Sequence, residues 1–153
     1  MYPDFKELLS ALNAHEVRYL IVGGYAVSIH AQPRATKDLD ILVDPSKENS
    51  DALLAALKAF EAPVGKLAAE DLVAAGSFFR MGRPPAMVDI MSRIKGVEFA
   101  QAWECRVVRE VDNGLSVPFI SRDDLMIAKL AAGRPEDLAD VAALRAAASQ
   151  GSA

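Results

Sequence analysis

The chain of 153 residues is 52% hydrophobic and 25% charged, with a formal net charge of −4. This length predicts one domain over residues 1–153 with a sizeable core, and the composition excludes a disordered chain. The mildly acidic balance excludes a protein that coats DNA through a general basic field, while a local basic groove stays open. The lone cysteine, Cys105, excludes an intramolecular disulfide and has no Cys or His cluster beside it to indicate zinc.

The N-terminal segment is amphipathic and charged, without the apolar core of a signal peptide. No run of about 18 apolar residues occurs anywhere in the chain. These features predict a protein that does not enter a membrane and works in a reducing, cytoplasmic setting.

The first half of the chain alternates between helical and extended patterns. Apolar residues at helical spacing follow Pro3 and Asp4, which suit a helix start. A β-branched and aromatic run then predicts a strand that Gly23 and Gly24 interrupt. The elements predicted here are a helix over 3–14, a strand over 18–22, a helix over 25–31, a strand over 38–44 and a helix over 45–60.

The second half predicts two hairpins and a closing pair of helices. A Gly-Arg-Pro-Pro turn joins two extended runs, and an Asn-Gly pair at 113–114 marks the second hairpin. Ser121 suits the cap of the first closing helix, and Gly133 suits its end. The elements predicted here are a helix over 66–75, strands over 77–81 and 87–92, a helical turn over 98–104, a hairpin over 105–120 and the two helices that follow.

Helices and strands mix without regular βαβ alternation, so the predicted class is α+β. We expect a mixed central sheet of about five strands, flanked by helices, with a C-terminal helical pair. The aromatic side chains of Trp103, Phe78 and Phe79 are expected in the core.

Two carboxylates interrupt the apolar strand predicted over 38–44. Asp38 and Asp40 project from the same face of a strand, with Cα atoms about 6.5–7 Å apart, and burying them unpaired is costly. An Arg, a Lys or a divalent cation has to sit beside them, and Mg²⁺ suits carboxylate oxygens. Asp89 lies on another predicted strand, so the three acids converge if the two strands are neighbours. A D-x-D pair alone is a weak signal, because it is commonly a strand end or a solvated edge.

The two glycines add a phosphate-binding feature. Gly23 and Gly24 stand between a strand and a helix, where the backbone can approach a phosphate and helix N–H groups are free. No Gly-Lys-Ser/Thr and no G-x-G-x-x-G follows, which excludes a Walker loop and a dinucleotide fingerprint. Ser28, on the helix that follows, either hydrogen-bonds phosphate or points at backbone.

The whole combination, a strand, Gly-Gly, thirteen residues, Asp-apolar-Asp and a later strand Asp, resembles the nucleotidyltransferase superfamily related to DNA polymerase β. The resemblance implies a nucleotidyltransferase fold and Mg²⁺-dependent (or Mn²⁺-dependent) transfer of a nucleoside monophosphate from an NTP to an acceptor hydroxyl. Gly23 and Gly24 would contact the triphosphate. Asp38 and Asp40 would bind metal, and Asp89 would complete the metal site and draw the proton from the acceptor.

Residues 23–41 look like one branch in particular, the bacterial abortive-infection and toxin–antitoxin type, with its Gly-Gly…Arg-x-Thr-x-Asp-apolar-Asp signature. Residues 124–144 are similar to the C-terminal motif of that group. There Lys129 would meet the nucleotide phosphates, and Asp137 or Asp140 would orient it or the base. The implied acceptor is an RNA such as tRNA, or a protein, and the implied partner is a cognate toxin or antitoxin.

Other interpretations stay open at this point. Arg34 and Lys37 precede the acids and can neutralise them, touch phosphate or remain solvated charges. Lys129 can equally be a snorkelling surface lysine, and Asp137 can serve only the dipole of its helix. The alternative function is a noncatalytic nucleotide-sensing or antitoxin-like partner-binding module. A third is a hydrolase that uses the same acids as general base.

Overall fold

The structure is a computed structural model that describes residues 1–33, 35–112 and 114–151, with six strands and seven helices in those ranges. Most boundaries agree with the sequence patterns. In chain order the elements are α1 (Pro3–Ala14), β1 (Tyr19–Val22), α2 (Gly23–His30), β2 (Leu39–Val43), α3 (Lys47–Ala59), α4 (Ala69–Val73), β3 (Phe78–Arg83), β4 (Ala86–Met91), α5 (Phe99–Glu104), β5 (Val107–Val111), β6 (Leu115–Phe119), α6 (Arg122–Ala132) and α7 (Pro135–Gly151).

The strands form one mixed sheet in the order β3-β4-β2-β1-β6-β5. β1 runs antiparallel to β2 and parallel to β6, and β2 runs parallel to β4. The predicted α+β class and the mixed sheet flanked by helices are confirmed. The strand count is six rather than about five, because both strands of both hairpins lie in the sheet.

Two groups of helices flank this sheet. α1 packs with α3, and α3 with α4, while α2 packs with α6 and α7. The apolar stripe of α1 is fully buried, as its spacing predicts, and consists of Phe5, Leu8, Leu9 and Leu12. Among the residues that the structure describes, no helix is long and apolar enough to cross a membrane.

Three sequence expectations need correction or qualification. Phe78 is 64% exposed, because alternation along the edge strand β3 turns Phe79 toward the core and Phe78 to the other face. α2 begins at Gly23 rather than at Tyr25, so the two glycines are the first residues of the helix. The second hairpin forms, but Asn113 of its predicted turn lies outside the described residues.

Candidate active site

Two of the three predicted acids are direct neighbours in the sheet. Asp40 of β2 pairs in register with Asp89 of β4, so their side chains leave the same face of parallel strands about 4.8 Å apart. Asp38 immediately precedes β2 and shares that face by alternation. The neighbouring strands therefore place the three carboxylates on one face of the sheet, as expected if these strands pair.

Arg80 of β3 extends this row of charges by one strand. It pairs in register with Asp89, and its Nη1 donates to both carboxylate oxygens of Asp89 at 2.9 and 2.7 Å. Its Nη2 lies 3.7 Å from Oδ2 of Asp38. The guanidinium thus lies between two acids of the row and neutralises part of their charge.

Asp40 keeps a strong electrostatic penalty in spite of this arginine. Its pKa is raised to about 6, chiefly by burial and further by the negative charges of Asp89 and Asp38. Lys129 and Arg80 lower the pKa of Asp40, but by less. A half-buried carboxylate that lies beside two others and is only partly compensated favours a cation.

The first residue of α2 touches this carboxylate directly. Gly23 has a φ of +71°, a conformation that glycine adopts without strain. A Cβ at this position would overlap Oδ2 of Asp40 and lie 2.9 Å from its Cγ. The backbone at the start of α2 therefore approaches Asp40 as closely as only glycine allows, and the free N–H groups of the first helical turn begin there.

A second charged cluster lies where α6 meets α7. Nζ of Lys129 is 3.0 Å from Oδ2 of Asp140 and 3.5 Å from Oδ1 of Asp137. Asp137 is 1% exposed and also accepts hydrogen bonds from the backbone N–H and the guanidinium of Arg134. These hydrogen bonds hold the pKa of the Asp137 carboxyl below its usual range. The two acids hold Lys129 in place, and this lysine is close enough to lower the pKa of Asp40.

The structure describes three of the four remaining predicted residues, Gly24, Ser28 and Lys37. Gly24 is the second residue of α2, and Ser28 lies half-buried in the next turn of the same helix. Lys37 is exposed beside Asp38. Arg34 lies outside the described residues, so its predicted contact with phosphate stays a prediction.

The donor set suits a hard divalent cation, because carboxylate oxygens are the ligands that Mg²⁺ prefers. Within residues 1–33, 35–112 and 114–151, no group of three acidic, His or Cys side chains is close enough to hold a metal in this conformation. The guanidinium of Arg80 lies between Asp38 and Asp89 and pairs with both. The oxygen donors favour such a cation, which Asp38, Asp40 and Asp89 would hold, and burial together with the charges of Asp89 and Asp38 raises the pKa of Asp40.

We predict that Asp40→Asn stabilises the metal-free protein at neutral pH. The folded pKa of Asp40, about 6, lies above its unfolded value of 3.8, so its carboxyl lowers the free energy of unfolding as pH rises from about 4 to 6. A neutral Asn removes this penalty, and we expect a gain of about 1–3 kcal/mol at pH 7.5. Urea unfolding in EDTA at pH 7.5 and pH 4 measures the effect.

The matched control for this substitution is Asp51→Asn on the exposed side of α3. It should change the free energy of unfolding by less than about 0.5 kcal/mol at both pH values. The gain from Asp40→Asn should shrink toward pH 4, where the wild-type carboxyl is protonated. A loss of stability at pH 7.5 would contradict the prediction.

Two contacts among the candidate site residues were not predicted from the sequence. The turn at Pro84-Pro85 sets Arg80 opposite Asp89, and counting outward from that turn would have identified the pair. Asp137 at the third position of α7 accepts from the backbone N–H and the guanidinium of Arg134, and an acid at that position is a signal of helix capping.

The family model described as "Nucleotidyltransferase of unknown function (DUF6036)" matches residues 4–148. No curated protein matches the chain. Among solved structures, the chain is similar to the lincomycin-bound lincosamide antibiotic adenylyltransferase LnuA, at 14% identity and a TM-score of 0.55, over 96% of this chain and 98% of that one. At this identity the likeness shows the fold alone.

Proposed function

We propose a reaction for this chain, which belongs to this nucleotidyltransferase family because the family model matches residues 4–148. The chain is therefore an enzyme that transfers a nucleoside monophosphate. The proposed reaction moves the monophosphate from an NTP to an acceptor hydroxyl, with Mg²⁺ as the cation and Mn²⁺ as a substitute. The acceptor is an RNA, such as tRNA, or a protein.

One observation carries the proposal: the register of β2 and β4, which sets Asp40 beside Asp89 with Asp38 next to them. Three carboxylates share one sheet face, and burial together with the charges of Asp89 and Asp38 raises the pKa of Asp40, which favours a cation. Because Gly23 begins α2 against Asp40, the free N–H groups of this helix lie beside the same point. Cation-binding acids and anion-binding N–H groups side by side suit a metal-bound triphosphate.

The proposed step is an in-line displacement. The acceptor oxygen forms a bond to the α-phosphorus, the bond from that phosphorus to the bridging oxygen of the β-phosphate breaks, and pyrophosphate leaves. Asp89 accepts the proton of the acceptor hydroxyl, using lone pairs that its hydrogen bonds with Arg80 leave free. Bound Mg²⁺ supplies charge neutralisation at the phosphate oxygens.

Lys129 is proposed to hold the leaving phosphates. Its side chain is only 15% exposed and its ammonium is held by Asp140 and Asp137, which restricts the flexible side chain to one position. A fixed cation positions a triphosphate better than a mobile one, because positioning supplies most of the rate gain in such transfers. We propose Gly24 and Ser28 of α2 as additional phosphate contacts, and we propose the same role for Arg34 from its sequence position alone.

A noncatalytic nucleotide-sensing or partner-binding module is the second candidate. Arg80 favours it, because its bidentate hydrogen bonds hold Asp89 and its guanidinium lies close to Asp38. An arginine that stays there after nucleotide binding would leave the acids structural. Such a module would bind Mg²⁺ and NTP and transfer nothing.

Direct labelling tests the proposal. Purified protein is incubated with Mg²⁺, each α-³²P-labelled NTP in turn, and either total RNA or a protein extract. Label in a macromolecule establishes the transferase and identifies the base and the acceptor class. Bound NTP without label supports the noncatalytic module, whereas release of free monophosphate indicates a hydrolase and contradicts transfer.

The biological setting is part of the proposal. We propose a single domain over residues 1–153 that acts in the cytoplasm, with a cognate toxin or antitoxin as partner in a toxin–antitoxin or phage-defence system. Co-purification of the chain with the product of a neighbouring gene would test the partner directly.

A further inference from the structure

A pocket lies beside Asp89 on the acid-bearing face of the sheet, toward the β3 edge. Its volume is about 330 Å³, which is at the lower end for small-ligand sites. Asp89, which we propose as the proton acceptor, forms part of its wall. The lining residues are Gly76, Ser77, Phe78, Asp89, Met91 and Arg93. The pocket therefore adjoins the point where an acceptor hydroxyl has to be.

The floor of this pocket is an exposed apolar surface. Phe78 pairs in register with Met91, so the ring and the thioether lie side by side on the face that also carries Arg80 and Asp89. Phe78 is 64% exposed, while the next residue, Phe79, packs against the core. An aromatic ring left open to solvent beside a catalytic acid offers a stacking surface for a planar group.

Arg93 gives the pocket a positive charge that none of the described residues pairs with. It is exposed, and it makes no hydrogen bond or ion pair with any residue that the structure describes. The nearby Arg80, in contrast, is bound to Asp89. Arg93 is thus the guanidinium at this pocket that is available to an incoming anion.

We propose that this pocket binds the acceptor and that the acceptor is a nucleotide unit. Its base stacks on Phe78 and Met91, its phosphate pairs with Arg93, and its ribose hydroxyl lies beside Asp89. The inference rests on the proposed function, because the acceptor role requires transfer. An aromatic ring together with a guanidinium is the usual means by which proteins hold unpaired nucleotides. Two sources share this chemistry, a free nucleotide and the 3′ end of an RNA.

The pocket favours this acceptor over the protein alternative on two grounds. Its volume accommodates one ring system rather than a length of polypeptide. Its single unpaired charge is positive and suits a phosphate, whereas a serine or threonine acceptor brings no anion of its own.

Binding of a fluorescent single-stranded RNA, followed by anisotropy without NTP, tests the inference. Phe78→Leu and Arg93→Gln should each weaken binding about tenfold, and Phe78→Tyr should stay within about twofold of the wild type. Arg83→Gln is the matched control, because Arg83 is an exposed arginine of β3 on the opposite face. Wild-type affinity in Phe78→Leu would overturn the inference.

A transfer assay separates this inference from the proposed function. Two further measurements distinguish the sources. Competition by AMP indicates that the acceptor is a free nucleotide, whereas loss of labelling when the RNA carries a 3′-phosphate indicates that the acceptor is an RNA 3′ end. If Phe78→Leu labels RNA or protein as well as the wild type does, then the proposed transfer is correct and the pocket assignment is wrong. RNA binding that depends on Phe78, without transfer to any acceptor, means that the pocket binds nucleotide and the proposed reaction is wrong.

Discussion

Asp38→Asn and Asp40→Asn should each lower the rate of nucleotidyl transfer about a thousandfold while leaving the fold intact. Asparagine keeps the size of the side chain and removes the negative charge that attracts the cation. The lost charge stabilisation is several kcal/mol, which corresponds to about three orders of magnitude in rate. Single-turnover transfer of labelled nucleotide measures the loss, and Mg²⁺ binding measured by calorimetry checks its cause.

The control for both variants is Asp51→Asn, which carries the same change of charge on the exposed side of α3. It should transfer nucleotide at the wild-type rate. Asp40→Asn should also be more stable than the wild type at neutral pH without metal, so lost activity cannot be attributed to unfolding. A doubly substituted protein that remains fully active would exclude the acids from the mechanism.

The sequence predicted the acids because alternation along a strand is a local property. Asp38 and Asp40 share a face whichever strands lie beside them. That Asp89 joins them depends on β2 and β4 being parallel neighbours, which is a non-local pairing. The resemblance supplied that expectation, and the spacing of the residues alone did not.

The prediction that Phe78 lies in the core was wrong for a physical reason. A pair such as Phe78-Phe79 cannot have both rings on one face of a strand, so one ring had to leave the core. Which ring leaves is decided by the register of the hairpin with β4 and by the edge position of β3. A local sequence pattern contains neither the register of the hairpin nor the position of β3 in the sheet.

The Lys129 cluster was only partly predictable. Helical spacing predicts α6 and α7, and Gly133 with Pro135 predicts the break between them. The distance from Lys129 to Asp140 depends on the angle at which these helices pack, which no local pattern determines. The reach of Lys129 toward Asp40 in addition requires α6 to pack on α2.

Gly23→Ala should abolish most of the activity and also destabilise the fold. The φ of +71° costs an alanine about 1–2 kcal/mol, and its Cβ would overlap Oδ2 of Asp40. Relief requires the carboxylate of Asp40 to move by about 1 Å, and a displacement of this size lowers catalytic rates about a hundredfold. Urea unfolding and single-turnover transfer measure the two effects separately.

Gly65→Ala is a control that separates the effect of backbone strain from the effect of displacing the carboxylate of Asp40. Gly65 has a similar φ of +56°, but a Cβ there would meet nothing within 4 Å. This control should lose about the same conformational energy and keep wild-type activity. If Gly23→Ala merely matches Gly65→Ala in stability and transfers nucleotide normally, then the close approach of α2 to Asp40 is not required for the reaction. If its activity falls while the control stays active, then Gly23 contributes to the reaction through its close approach to the carboxylate of Asp40, and the left-handed backbone conformation alone does not account for the loss.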